Sequence, residues 1–136
     1  MFNTVDGKTI AILGFAFKKD TNDTRETPAI AVCRHLLEER ASLRIYDPRV
    51  DPGRILEDLG LSADGPVEVC DDAYAAADGT DAVAVLTEWD EFRDLDFARI
   101  HKSMRKPAFL FDGRGIVDIE RLRSIGFDAR AIGRRD

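Results

Sequence analysis

Cysteine is scarce in this chain. Cys33 and Cys70 are the only two, too few and too far apart for a zinc-type cluster or a disulfide framework. That usage suits a reducing, cytoplasmic setting. Histidine is as rare. His35 and His101 each stand alone, with no partner at ligand spacing, and both read as surface residues. Long apolar runs are missing as well. None approaches the roughly 20 residues of a membrane span, and no basic-then-apolar leader opens the chain. Positive charge is not in excess. Twenty Lys and Arg against 26 Asp and Glu give a net charge of −6. That argues against a general nucleic-acid binder, which needs cationic surface to displace counterions. No internal repeat or low-complexity tract is visible.

The most informative absence follows the first apolar run. KTIAILG, residues 8–14, reads as a buried strand ending at Gly14. A dinucleotide fingerprint would continue with glycines, so that backbone can approach a pyrophosphate. Here residues 15–17 are Phe-Ala-Phe, followed by Lys18 and Lys19. The fingerprint is absent.

What is present is ordinary for one globular domain. The 136 residues, 44% hydrophobic and 34% charged, allow one real core. A helix is predicted over 28–40, with Thr27 as N-cap and Pro28 at its first position. Ile30, Cys33 and Leu37 form its apolar stripe, so Cys33 reads as a small core residue. SLRIY, 42–46, is a second strand stopped by Asp47-Pro48. Residues 49–66, with two prolines and three glycines, read as a loop with one pair of helical turns around ILEDLGL. VEVC, 67–70, is a third strand, and DDAYAAAD, 71–78, a short helix. AVAVL, 82–86, is a strand covered on both faces. Residues 90–104 suggest one or two short helices. PAFLFDGR, 107–114, is a strand running into a tight turn. DIERLRSI, 118–125, is a helix, and FDARAIG, 127–133, a last strand. This alternation predicts an α/β, Rossmann-like three-layer sandwich with a mostly parallel sheet of five to six strands.

In such sheets ligands bind beyond the carboxyl ends of the strands, where strand order reverses. Those ends carry Gly14 to Lys19, Asp47, Thr87 to Trp89, and Asp112 to Arg114. At the first tip, lysines could bind phosphate by charge, with Arg25 and the N-terminus of the following helix nearby. The alternative is solvated loop charge balanced by Asp20, Asp23 and Glu26. Arg114 could hold a phosphate or carboxylate, or could pair with Asp112 or another acid to hold the turn. Trp89 could wall a pocket or cap the core. Asp47 stands where dinucleotide folds place a ribose-binding acid, but also reads as a strand-ending Asp-Pro turn. Cys70 ends a strand with no evident base nearby, so neither cysteine reads as a nucleophile.

Four motifs in order carry a resemblance: ILGFAFKKDTNDTRETPA, then IYDP, then TEW with a following phenylalanine, then PAFLFDGR. Together they resemble the C-terminal, UDP-binding domain of the UDP-glucose/GDP-mannose dehydrogenase family, from about Gly7 to Gly133. The resemblance implies an enzyme that oxidises the C6 alcohol of a nucleotide sugar to a carboxylate with two NAD per turnover. It implies that Phe17, Lys18 and Arg114 contact the UDP-sugar, and that Arg25 reaches NAD held mainly by another domain. The family's NAD-binding domain, central dimerisation region and catalytic cysteine, lysine and glutamate have no counterpart here. The chain therefore reads as one UDP-sugar-binding domain, residues 1–136, of an enzyme expected to be a homodimer or larger, and is expected to be inactive by itself. An apolar patch is expected near the first helix or Trp89, where the missing domains would pack. Two other readings are a stand-alone nucleotide-sugar module and a signalling receiver. The receiver fails on order: its acidic pair should follow the first strand, yet Asp71-Asp72 lies far downstream.

Overall fold

A computed structural model describes residues 6–16, 27–61 and 65–131. Six strands form one sheet: β1 (Thr9–Leu13), β2 (Ser42–Tyr46), β3 (Val67–Val69), β4 (Ala82–Val85), β5 (Phe109–Asp112) and β6 (Asp128–Ala131). Every pairing is parallel, and the strand order is β3-β2-β1-β4-β5-β6. Parallel neighbours need crossovers, and helices supply them. These are α1 (Pro28–Glu38), α2 (Pro52–Leu59), α3 (Ala73–Ala77), α4 (Asp90–Arg93), α5 (Phe97–Ser103) and α6 (Ile119–Ile125). Helix packing falls into two groups: α1 with α2, and α5 with both α3 and α6. This is the three-layer α/β arrangement that the alternation predicts.

β1 and β4 lie at the centre. Ile10 to Leu13 and Ala82 to Val85 are all buried, which is why both runs are apolar without alternation. The order reverses between these two strands, since β1 continues to β2 on one side and β4 to β5 on the other. The register is the feature that matters for function. Leu13 is level with Tyr46 and with Val85, and Val85 is level with Asp112. The carboxyl ends of four strands therefore finish on one line.

Local chemistry sets the helix starts. The Thr27 hydroxyl accepts from the Ala29 N–H, and Pro28 opens α1, where a missing N–H costs nothing. The pair of helical turns expected within 49–66 is α2, eight residues long. Asp51 caps it, Pro52 sits in its first turn, and Gly60 closes it at φ +71. Proline and glycine here punctuate a helix instead of breaking one.

Trp89 itself is buried and adds no apolar surface. On α1, Ile30, Val32, Leu36 and Leu37 are half-buried. His35 is exposed as expected, but His101 is not a plain surface residue. It packs edge-on against Phe127 at 5.1 Å between ring centroids.

Candidate functional site at the strand tips

The line of strand ends is fastened by a buried aspartate. Asp47 follows β2, and its Oδ2 accepts from the Phe15 N–H at 2.7 Å, the Ala16 N–H at 3.0 Å and Trp89 Nε1 at 3.0 Å. Its Oδ1 accepts from the Arg49 and Val50 N–H groups at 2.8 and 3.1 Å. Five donors thus converge on one carboxylate. In a dinucleotide fold an acid at this position would take a ribose. Here both oxygens already hold protein, so Asp47 reads as scaffold. A groove of about 420 Å³ does open beyond β2 and β3, lined by Tyr46, Arg49, Cys70 and Asp71 among others.

Gly14 brings the tip of β1 against that of β4. Its φ is +100, and a Cβ there would lie 2.5 Å from the Thr87 Cβ. Only glycine satisfies both the conformation and the space. The Thr87 hydroxyl, fully buried, donates to the Ala16 carbonyl at 2.8 Å. The Thr27 hydroxyl donates to the same carbonyl at 3.4 Å. The chain therefore leaves β1 at Ala16 and returns to the same spot at Thr27. Phe17, Lys18 and Arg25 fall between these anchors and lie outside the described residues.

Arg114 is described, and its backbone and guanidinium have different partners. Asp112 does not take its guanidinium. It bends the loop instead, with Oδ1 accepting from the Arg114 and Gly115 N–H groups at 2.9 and 2.8 Å, and Oδ2 from the Val117 N–H at 2.8 Å. The Gly113 N–H donates to the Val85 carbonyl at 2.9 Å, keeping the loop on β4. The guanidinium turns toward another acid: Arg114 Nε donates to Glu88 Oε2 at 2.6 Å. Glu88 lies in the loop after β4, between the buried Thr87 and Trp89. The sequence reading passed over Glu88. Its signal is the tripeptide itself, a polar residue between two that turn inward.

The cysteines stay out of this chemistry. Cys33 is fully buried, and burial pushes its thiol up to about 12. Burial also raises Cys70, only partly opposed by Arg44. Both directions disfavour the reactive thiolate. Among the described residues no group of three His, Cys, Asp or Glu could hold a metal ion, and no helix is long and apolar enough to cross a membrane.

The fold and the line of strand ends thus define a Rossmann-like parallel α/β domain whose sequence lacks the glycine fingerprint after β1. Its sequence narrows the class. The profile described as "UDP-glucose/GDP-mannose dehydrogenase family, UDP binding domain" matches residues 11–119, and the chain belongs to that family. It is 54% identical to UDP-glucose 6-dehydrogenase of Drosophila melanogaster, over 99% of this chain and 30% of that one. In solved structures it resembles an NDP-N-acetyl-D-galactosaminuronic acid dehydrogenase from Methanosarcina mazei, with 28% identity, a TM-score of 0.81, and 97% of this chain matched to 26% of that one. A UDP-D-ManNAc dehydrogenase from Pyrococcus horikoshii matches with 30% identity and a TM-score of 0.71, over 96% of this chain and 26% of that one. The chain therefore spans about a third of the length of the relatives it matches.

Proposed function

We propose that this chain is the nucleotide-sugar-binding domain of an NAD-dependent UDP-glucose 6-dehydrogenase, which oxidises the C6 alcohol of UDP-glucose to the carboxylate of UDP-glucuronate. The observation that carries the reading is the match of a UDP-binding-domain profile to residues 11–119. The geometry supports it. Arg114 stands at the line of strand ends and pairs with Glu88, the chain neighbour of the Thr87 that holds Ala16, the last described residue before Phe17 and Lys18.

In this reading Lys18 binds the diphosphate or the sugar end, and Phe17 walls the pocket. Arg114 holds the sugar or its new carboxylate by charge-assisted hydrogen bonds. Binding energy collected at the remote UDP serves to position the reacting carbon. NAD supplies the oxidising equivalents and is held mainly by an NAD-binding domain outside this chain, with Arg25 reaching it from this side. The residues of this chain do not fit NAD at the fold's own dinucleotide position, because Asp47 is saturated by backbone and Trp89 donors. The rest of the enzyme would supply catalytic Cys, Lys and Glu and a dimer-forming central region, giving a cytoplasmic homodimer or larger assembly. By itself the chain would bind UDP-sugar weakly and catalyse nothing.

Calorimetry on the 136-residue chain tests this. UDP-glucose and UDP should bind, NAD should not, and Lys18→Ala and Arg114→Ala should each weaken binding. Tight NAD binding, or UDP-glucose binding unaffected by both substitutions, would overturn the assignment of the site.

A further inference from the structure

We propose that the tip of β1 is an oxyanion site and that Asp47 is its built-in occupant, closing this end of the domain to external phosphate and carboxylate. Three observations carry it. First, the donors form a cradle of the kind that holds anions. Phe15 and Ala16 are successive residues, and both N–H groups point at one atom, Asp47 Oδ2. Arg49 and Val50 are also successive, and both N–H groups point at Oδ1. Successive backbone N–H groups aimed at one point make anion-binding concavities. Trp89 Nε1 completes the set from the tip of β4. All five partners are neutral N–H donors. An ionised carboxylate, an acceptor only, is the group that uses them all.

Second, the cradle stands where this fold would otherwise present backbone to a pyrophosphate. Phe15 and Ala16 directly follow Gly14, the stretch in which a dinucleotide domain brings glycine backbone to the phosphates. Asp47 directly follows Tyr46, which is level with Leu13, and the Gly14 N–H donates to the Tyr46 carbonyl at 2.8 Å. The strand register therefore sets the carboxylate against these donors. Third, the cradle is sealed. Phe15, Ala16, Asp47 and Trp89 are all buried. Their hydrogen bonds fill the roughly four lone-pair sites of a carboxylate, and every donor is engaged, so a second ligand finds neither. A phosphate brought to the same place would also meet a buried like charge, which salt screens poorly. The missing glycine fingerprint and the inserted carboxylate are thus two parts of one exclusion. It holds whether or not Lys18 and Arg114 contact a UDP-sugar.

The test uses the 136-residue chain with Asp47→Ala and Asp47→Asn. The readouts are the NMR signal of the indole N–H, unique because the chain has a single tryptophan, and urea unfolding. Asp47→Ala vacates the space of one carboxylate, and sodium formate is the probe. Formate should return the indole signal of Asp47→Ala toward its wild-type position. It should also lower the unfolding constant about tenfold in about 100 mM formate, the linkage expected for a Kd of about 10 mM. Sodium chloride at equal ionic strength should do neither. Asp47→Asn keeps the space filled, so formate should leave its signal and its stability alone. If Asp47→Ala is unfolded in buffer, formate and not chloride should raise its folded fraction. In the wild type, inorganic phosphate and NAD should leave the indole signal where it is. An Asp47→Ala protein that responds to formate no more than to chloride overturns the proposal. So does equal rescue of Asp47→Asn, and so does a wild-type indole shift that saturates with phosphate or NAD.

Discussion

Two aspartates end two strands of this sheet, and they hold different kinds of structure. Asp47 after β2 gathers donors from the β1 tip and from Trp89, between 31 and 42 residues away in sequence. Asp112 at the end of β5 takes N–H groups two, three and five residues ahead. The first carboxylate is a tertiary knot, and the second is a local turn. Their burial is similar, so the difference lies in their partners. Phe15, Ala16, Val50 and Trp89 are buried, whereas Arg114 and Gly115 face solvent. Water can replace Asp112 at Arg114 and Gly115, but it reaches the Phe15, Ala16, Val50 and Trp89 donors of Asp47 only if the fold opens; the exposed Arg49 is the exception.

The sharpest way to break this comparison is to remove each carboxylate in turn. Asp47→Ala leaves several buried donors without an acceptor and should cost about 4 kcal/mol of stability. It should also change the fluorescence of the lone tryptophan, whose ring N–H loses its acceptor. Asp112→Ala should cost about 2 kcal/mol, because its donors can rehydrate, and should leave that fluorescence alone. Urea unfolding of both variants, followed by tryptophan emission, checks the pair. Equal costs would mean that the distinction between knot and turn has no energetic content.

A smaller effect tests the second fastening at the β1 tip. Thr87→Val keeps the volume but removes the hydroxyl that donates to the Ala16 carbonyl. The Thr27 hydroxyl stays within reach of that carbonyl, so the expected loss is about 1 kcal/mol, read in the same unfolding experiment. A loss as large as that of Asp47→Ala would place the main anchor at Thr87 instead.

The smallest effect is confined to alkaline pH. Burial lifts the Cys33 thiol from its ordinary 9.0 to about 12. Below that ordinary value both folded and unfolded chains keep the proton, and stability does not depend on it. Above it the unfolded chain releases the proton first, so stability should decline as pH rises through the window between the two values. Cys33→Ala should flatten that part of the decline in a pH series of unfolding curves. A decline identical in both proteins would assign it to other groups.

Much of the frame was legible in the sequence, for local reasons. Apolar runs of strand length mark β1, β4 and β5. Thr27-Pro28 marks the start of α1, because capping and a fixed φ act within a few residues. The same logic was available for Asp51-Pro52 and Gly60, which mark the bounds of α2 where only a pair of helical turns within a loop was expected. His101 was misplaced because its neighbour Phe127 comes from a distant element. The family motifs named Arg114, but nothing local named Glu88 as its partner.

By itself, then, the sequence determined the alternation of strands and helices, the missing glycine fingerprint, the family, and which residues finish the strands. Each of these depends on a residue and its near neighbours, or on a pattern of motifs in order. The tertiary structure alone decided what those residues do to one another. Parallel pairing in one register set four strand ends level. Only that alignment lets Asp47 clasp the β1 tip, forces a glycine at position 14 against Thr87, and turns Arg114 from the nearby Asp112 to Glu88, 26 residues away.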